Sequence, residues 1–206
     1  MQKLHLKYQT ISDHSFEFKK VNLLFVFQVN CPGCFAYGFP VVNRLREQFG
    51  DELGYLGLST AFEDFEMNTA ENTIALIETG TAVGETRKML DSQGLETYPE
   101  PISFPIASDE IIPPEALSDH KLIDKICHIN PNFSIWAQFD QDLLRQKVRT
   151  YLTQQKKISF TFTVNQFRGT PTFVIFNDEM EIIEQWFGHV SAPLIENALE
   201  EALKSL

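Results

Sequence analysis

Residues 21–34 read VNLLFVFQVNCPGC, and this stretch decides the fold of the 206-residue chain. Almost all of residues 21–29 are β-branched, aromatic or otherwise apolar. Such a run is typical of a strand that is covered on both faces, in a sheet with helices on each side. The sequence therefore predicts an α/β protein with this strand at its centre.

A helix is predicted directly after this strand, and it opens with Cys31-Pro32-Gly33-Cys34. Apolar side chains recur every three or four residues along it, as one helical face requires. These side chains are Phe35, Phe39, Val42, Leu45 and Phe49. Proline favours the first turn of a helix, where its missing N–H would have no partner, so Pro32 fits this start. Pro40 lies deeper in the helix and is expected to kink it.

The two cysteines of this turn are placed for reversible thiol chemistry. At a helix N-terminus, unpaired backbone N–H groups and the positive end of the helix dipole stabilise the thiolate, which is the reacting form. We therefore expect Cys31 to be the nucleophile that attacks a substrate disulfide. Cys34, one turn further on and more enclosed, is expected to attack the resulting mixed disulfide and release the product.

Three further segments are predicted to be strands or extended chain. Residues 3–8 alternate polar and apolar side chains, which is typical of a strand with one buried face. Residues 53–59 form a short apolar strand. Residues 158–164 alternate again and predict either a strand or an extended return to the core.

The C-terminal part predicts a β-hairpin and a helix. Thr170-Pro171-Thr172 leads into antiparallel strands over 173–176 and 181–187. Ser191 can cap the helix that follows. The buried stripe of that helix is expected to be Leu194, Ile195, Ala198, Leu199, Ala202 and Leu203.

The segment 61–164 is predicted to be a mainly helical insertion. A proline-dense stretch inside it is predicted to be an extended, ordered loop. Trp136, Phe139, Leu143 and Tyr151 have helical spacing and are expected to belong to the core of the insertion. The predicted helices span 69–79, 81–93, 119–129 and 134–157.

The sequence resembles the thioredoxin superfamily in four features: the apolar strand, the C-P-G-C turn opening a helix, the T-P-T before a hairpin, and the glycine before the last helix. The resemblance implies a thioredoxin fold, with a central mixed sheet flanked by helices. Residues 1–60 and 165–206 would form that domain. The T-P-T hairpin is similar to thioredoxin or TlpA-like proteins, whereas the proline position in the turn and the long insertion are similar to DsbA.

The same resemblance assigns roles to individual residues. It implies that Pro171 follows a cis peptide bond and faces the cysteines. It also implies that the backbone of Thr170 pairs with an extended substrate segment. Pro32 and Gly33 complete the expected substrate-binding residues.

One departure from the family concerns proton transfer. Thioredoxins carry a buried aspartate six residues before the first cysteine, and Phe25 occupies that position here. Proton transfer would then depend on solvent, on an insertion residue such as Glu63 or Asp64, or on His189. Of these, His189 is the candidate we select, because it follows the glycine that lies near the active turn in the family. The remaining histidines, His5, His14, His120 and His128, are given no role.

Composition limits the partners that the chain can bind. A formal charge of −11 and no basic stripe disfavour nucleic acid as a partner. No uninterrupted apolar run reaches the length that a membrane-spanning helix needs, so we expect no membrane partner. The first residues lack the apolar core and cleavage site of a secretory signal, from which we expect a cytoplasmic protein. Three cysteines are too few for a disulfide scaffold in a chain of this length.

The sequence thus predicts a thiol–disulfide oxidoreductase that exchanges with protein or small-thiol disulfides and needs no bound cofactor or metal. Cytosolic glutathione keeps most dithiols reduced, so reduction of the substrate is the expected direction, with an electron donor that the sequence does not identify. A thiol peroxidase is an alternative, although Gln28 stands where such enzymes usually carry threonine. A redox-inactive binding module, an iron–sulfur carrier and a zinc site completed by Cys127 and His128 are further alternatives.

Overall fold

The computed structural model describes residues 2–12, 16–117 and 120–205. Its strands are β1 (Tyr8–Thr10), β2 (Val21–Phe27), β3 (Gly54–Ser59), β4 (Ile106–Asp109), β5 (Ile111–Ile112), β6 (Ile158–Ser159), β7 (Thr172–Asn177) and β8 (Ile182–Phe187). Its α-helices are α1 (Phe39–Phe49), α2 (Ala70–Thr79), α3 (Gly84–Ser92), α4 (His120–His128), α5 (Gln138–Gln154), α6 (Phe160–Val164) and α7 (Ala192–Lys204). His14, to which the sequence gives no role, lies outside the described residues.

Six of these strands form a mixed sheet in the order β1-β4-β3-β2-β7-β8. The pairs β2·β3 and β3·β4 are parallel, whereas β1·β4, β2·β7 and β7·β8 are antiparallel. Every residue of β2 is buried. The predicted α/β class, central strand and C-terminal hairpin are therefore confirmed.

The core lies on both faces of this sheet because side chains alternate along β2. Leu23, Phe25 and Phe27 pack into an apolar cluster with residues of α1, α2, α3 and α7. Leu24 and Val26 point to the opposite face and pack with residues of α6 and β7. The apolar run in the sequence thus reflects burial on both sides.

The insertion contains the four predicted helices, with bounds a few residues shorter than predicted. The proline-dense stretch, however, is not only a loop, because it contains β4. This strand pairs with β3 through Gly57, Leu58 and Ser59 and with the edge strand β1. One strand of the central sheet, β4, therefore comes from the segment 61–164.

Two other predictions of extended chain need correction. Residues 3–8 were expected to form a strand, but Lys3 makes only an isolated bridge to Glu181, and β1 begins at Tyr8. Residues 158–164 form a two-residue strand and then α6. Helix α6 forms because the Asp109 carboxylate accepts hydrogen bonds from the N–H groups of Thr161 and Phe162, which the helix itself leaves unpaired.

The expected core of the insertion is also different. Cys127 is buried with Ile123 and Phe133, so it packs as an apolar core side chain. Four residues that the helical spacing predicted to be core are instead on the surface: Trp136, Phe139, Leu143 and Tyr151 have exposed fractions of 37%, 76%, 39% and 59%. Helix α5 packs against the insertion through another face, which includes Leu144, Val148 and Leu152.

The last helix begins after Ser191, as predicted, but without a hydrogen bond from the serine side chain. Ile195, Leu199 and Ala202 are buried, whereas Leu194 is exposed. Among the residues that the structure describes, no helix is both long enough and apolar enough to cross a membrane.

Candidate active site

The C-P-G-C turn lies where β2 ends and a helix begins. Pro32 and Gly33 form the first helical turn, and Cys34–Gly38 then form a π-helical turn that continues into α1. The N–H of Phe39 donates to the carbonyl of Cys34, five residues back. Pro40 has no N–H to donate, and it follows directly on this wider turn, in the first turn of α1.

Cys31 and Cys34 are joined by a disulfide, with their Cα atoms 5.4 Å apart. Cys34 is fully buried, whereas Cys31 is partly exposed. The backbone nitrogen of Cys34 lies 3.3 Å from Sγ of Cys31, and its N–H donates to that sulfur. A backbone N–H at the helix start therefore faces the sulfur that the sequence predicts to be the nucleophile, and such a group stabilises a thiolate.

The loop before β7 lies against this turn. The peptide bond between Thr170 and Pro171 is cis, and the carbonyl oxygen of Thr170 is 3.6 Å from Sγ of Cys31. A Cβ added at Gly33 would lie 3.9 Å from the Pro171 ring. The N–H of Gly188, at the end of β8, donates to the Pro171 carbonyl at 2.8 Å. The structure thus brings Cys31, Cys34, Pro32, Gly33, Thr170 and Pro171 together.

Comparisons with known proteins identify the fold. No family model matches the sequence, and no curated protein matches it. Two solved structures align over almost the whole chain. One is described as a thioredoxin-like superfamily protein: it is 19% identical, with a TM-score of 0.56 over 98% of this chain and 97% of the other. The second is a thiol-disulfide isomerase from Corynebacterium glutamicum, 19% identical, with a TM-score of 0.55 over 96% of this chain and 94% of the other.

The chain has the thioredoxin fold. At this identity the likeness shows the fold alone. Within it, the C-P-G-C pair lies at disulfide distance after the central strand, and both structural neighbours carry thioredoxin-like or thiol-disulfide isomerase descriptions.

Phe25 fills the floor of the site, where the resemblance predicts a buried carboxylate. Its ring is fully buried, stacks on Phe27 and Phe173 and meets Phe39 edge to face. A Cβ added at Gly38 would lie 2.5 Å from this ring. The space beneath the π-helical turn is therefore occupied by an aromatic cluster in this thioredoxin fold.

His189, the candidate for proton transfer, contacts Tyr37 on the helix. The centres of their rings are 3.9 Å apart, and His189 is otherwise exposed. Burial raises the pKa of the Tyr37 phenol, so the hydroxyl is neutral across the physiological range. Tyr37 thus lies between His189 and Phe173 on the helix that carries Cys34.

Gln28 was not predicted to belong to the site. It is buried, its amide nitrogen donates to the carbonyl of Glu63 at 3.3 Å, and its oxygen accepts a hydrogen bond from the Thr170 hydroxyl at 3.3 Å. It therefore connects the cis-proline loop to the start of the insertion.

Asn30, directly before Cys31, was also missed. Its N–H donates to Oδ1 of Asn68, its side-chain nitrogen donates to Asp64 at 2.8 Å, and its oxygen accepts from the N–H of Glu85. Two polar residues at the end of an otherwise apolar buried strand are the sequence signal that could have pointed to Gln28 and Asn30, because buried polar groups need partners.

Proposed function

We propose that the chain is a thiol–disulfide oxidoreductase that reduces disulfides through Cys31 and Cys34. In the first step the Cys31 thiolate attacks a substrate disulfide, a bond forms between Cys31 and one substrate sulfur, and the other substrate sulfur leaves as a thiolate. In the second step Cys34 attacks Sγ of Cys31, which forms the intramolecular disulfide and releases the remaining substrate thiol. Two electrons pass from the dithiol to the substrate, and an electron donor must return them.

The observation that carries this proposal is the different exposure of the two sulfurs beside the cis-proline loop. Cys31 is partly exposed and has a backbone N–H at its sulfur, as an attacking thiolate needs. Cys34 is buried one turn away, and its sulfur is bonded to that of Cys31. This difference supports the assignment of nucleophile and resolving thiol.

Substrate binding is proposed to use the surface around Cys31. The backbone of Thr170 would pair with an extended substrate segment, with Pro171, Pro32 and Gly33 at its sides. A protein disulfide suits such backbone pairing better than a small thiol does. We infer that the chain acts in the cytoplasm. Because dithiols are kept reduced in that compartment, we infer that the reaction runs toward reduction of the substrate.

His189 is proposed to carry the proton that Cys34 must lose before it attacks. The Tyr37 hydroxyl is neutral, and Phe25 offers no acceptor beneath the turn. The exposed imidazole of His189, which contacts Tyr37 in the same π-helical turn as Cys34, supports this role.

Turnover of a model protein disulfide tests the proposal. The wild type should reduce it in the presence of a thiol donor, and Cys31→Ser should lose the activity. Cys34→Ser should accumulate a mixed disulfide with the substrate, because the resolving step is removed. Cys127→Ala is the matched control, since Cys127 packs in a separate cluster with Ile123 and Phe133, and it should keep the activity. Equal turnover by the wild type and Cys31→Ser would overturn the proposal.

The alternatives give different results in the same preparation. A peroxidase would consume peroxide through Cys31 faster than it reduces the protein disulfide. An iron–sulfur carrier would be coloured when purified without oxygen. A redox-inactive module would show no exchange at either cysteine.

A further inference from the structure

A surface of large apolar side chains covers one side of α5 and extends to Trp136, which lies before the helix. It is formed by Trp136, Phe139, Leu143 and Tyr151, with exposed fractions between 37% and 76%. Trp136 and Leu143, with Asp140, Leu144 and Lys147, line one shallow groove of about 380 Å³. Clusters of exposed large apolar side chains rimmed by polar residues mark interaction sites on soluble proteins. We call Trp136, Phe139, Asp140, Leu143, Lys147 and Tyr151 the α5 face.

Two opposite charges lie among these apolar side chains. Asp140 and Lys147 are seven residues apart, which is about 10 Å along the helix axis, too far for them to pair with each other. Within the described part of the chain, no ion pair reaches either of them. Their neighbour Arg145, on another side of the helix, is held by both Asp124 and Asp142. The α5 face therefore carries one unpaired charge of each sign.

The positions of these two charged residues are symmetric along the helix. The midpoint between Leu143 and Leu144 is equally far along the helix from Asp140 and from Lys147. If a second α5 packs antiparallel across a twofold axis at this midpoint, each Asp140 faces the Lys147 of the other copy. Leu143 of each copy then lies beside the twofold axis, at the centre of the contact. This pattern is that of an isologous interface, in which one surface is complementary to itself.

We propose that the α5 face is the docking surface for a second copy of this chain. The aromatic and leucine side chains supply the buried apolar contact, and the two Asp140–Lys147 pairs set the antiparallel register. An interface made by one helix from each copy buries an area at the small end of the range known for protein–protein interfaces. Dimer formation should therefore depend on protein concentration.

Charge substitutions test this register. In sedimentation velocity, the mass of the wild type should rise from one chain of 23.6 kDa toward two as the concentration increases to the submillimolar range. Asp140→Lys places two lysines opposite each other at both pairs, and Lys147→Asp places two aspartates opposite each other. Each variant alone should dimerise at least about tenfold more weakly than the wild type. An equimolar mixture of the two variants should dimerise again, because every pair across the interface is then of opposite charge.

The controls separate this docking from general charge effects. Glu78→Lys on α2 makes the same change in net charge as Asp140→Lys at an exposed position away from α5, and it should dimerise like the wild type. Phe139→Glu should abolish the dimer without lowering the melting temperature, since Phe139 is exposed in the folded chain. A wild type that stays monomeric throughout would overturn the proposal. Single charge variants that dimerise as well as the wild type, or a mixture that does not recover, would also overturn it.

Discussion

Oδ1 of Asn30 accepts a hydrogen bond from the backbone N–H of Glu85 at 2.6 Å. The residue directly before Cys31 is therefore bound to the first turn of α3, in the insertion. The same amide donates to Asp64, and the Asn30 N–H donates to Asn68. Three insertion residues thus hold the junction at which the central strand turns into the C-P-G-C helix.

Replacement of Asn30 by alanine removes the side-chain acceptor for α3. The N-cap residue of α3, Val83, has no side-chain oxygen, so Asn30 performs that function from outside the helix. We expect Asn30→Ala to lose about 1 kcal/mol of unfolding free energy, the usual effect of losing a helix cap, in urea titrations. Asn132→Ala, at an exposed asparagine of the insertion, is the control and should change stability by less than about 0.5 kcal/mol. Equal effects of the two substitutions would contradict a specific role for Asn30.

Gly38 is expected to tolerate no side chain, because its Cβ would meet the ring of Phe25. Alanine normally stabilises a helix relative to glycine, but overpacking a buried aromatic cluster costs about 1–3 kcal/mol. Gly38→Ala should therefore be destabilised in thermal or urea unfolding. Gly33→Ala should be as stable as the wild type, because the nearest group to its added Cβ is Pro171 at 3.9 Å. The double variant with Phe25→Leu should recover part of the loss, and no recovery would argue against this contact as the cause.

Asp109 should make stability depend on pH in an unusual direction. Burial raises its carboxyl pKa from 3.8 to about 6. The folded chain therefore holds this proton more tightly than the unfolded chain, so the contribution is fully present below pH 4 and is lost as pH rises through 6. The difference in unfolding free energy between the wild type and Asp109→Asn should fall by about 2–3 kcal/mol from pH 4 to pH 7.

This difference isolates Asp109 from carboxylates nearer the surface. Glu71, Asp178 and Glu181 have a lowered pKa, which gives the opposite trend, but they are present in both proteins and cancel. A difference that does not change with pH would show that Asp109 has an ordinary pKa.

Removal of the His189 imidazole should slow the resolving step. If His189 carries the Cys34 proton, His189→Ala should lower the exchange rate about tenfold or more near neutral pH, and added imidazole should restore part of it. His128→Ala, at an exposed histidine of α4, should behave like the wild type. The rates are measured by stopped-flow with a model disulfide over a range of pH. Unchanged rates in His189→Ala would show that His189 does not carry the Cys34 proton.

The sequence could predict what depends on local patterns. A continuous apolar run identified β2, and a helical repeat after C-P-G-C identified the helix that carries the cysteines. It could not predict β4, because four residues next to Pro105 show no period and are held by pairing with Gly57 and its neighbours. It could not predict the contacts of Asn30 either, since their partners lie 34, 38 and 55 residues away.

The error at α5 has a different physical origin. The helical spacing of Trp136, Phe139, Leu143 and Tyr151 correctly indicated an apolar helix face. Periodicity does not reveal whether such a face meets the same chain or another one. The charged residues Asp140 and Lys147 within that face were the signal that it is not an ordinary core stripe.

The most direct test of the account is a redox titration of Cys31 and Cys34 in glutathione buffers, with thiol alkylation and mass measurement. We expect the two cysteines to change state together in one two-electron transition, with a potential near the roughly −270 mV of thioredoxin, as a reductase requires. Cys127 should stay reduced throughout. Two cysteines that never exchange with glutathione, or a potential near the roughly −120 mV of a strong oxidant, would contradict the proposed reductase.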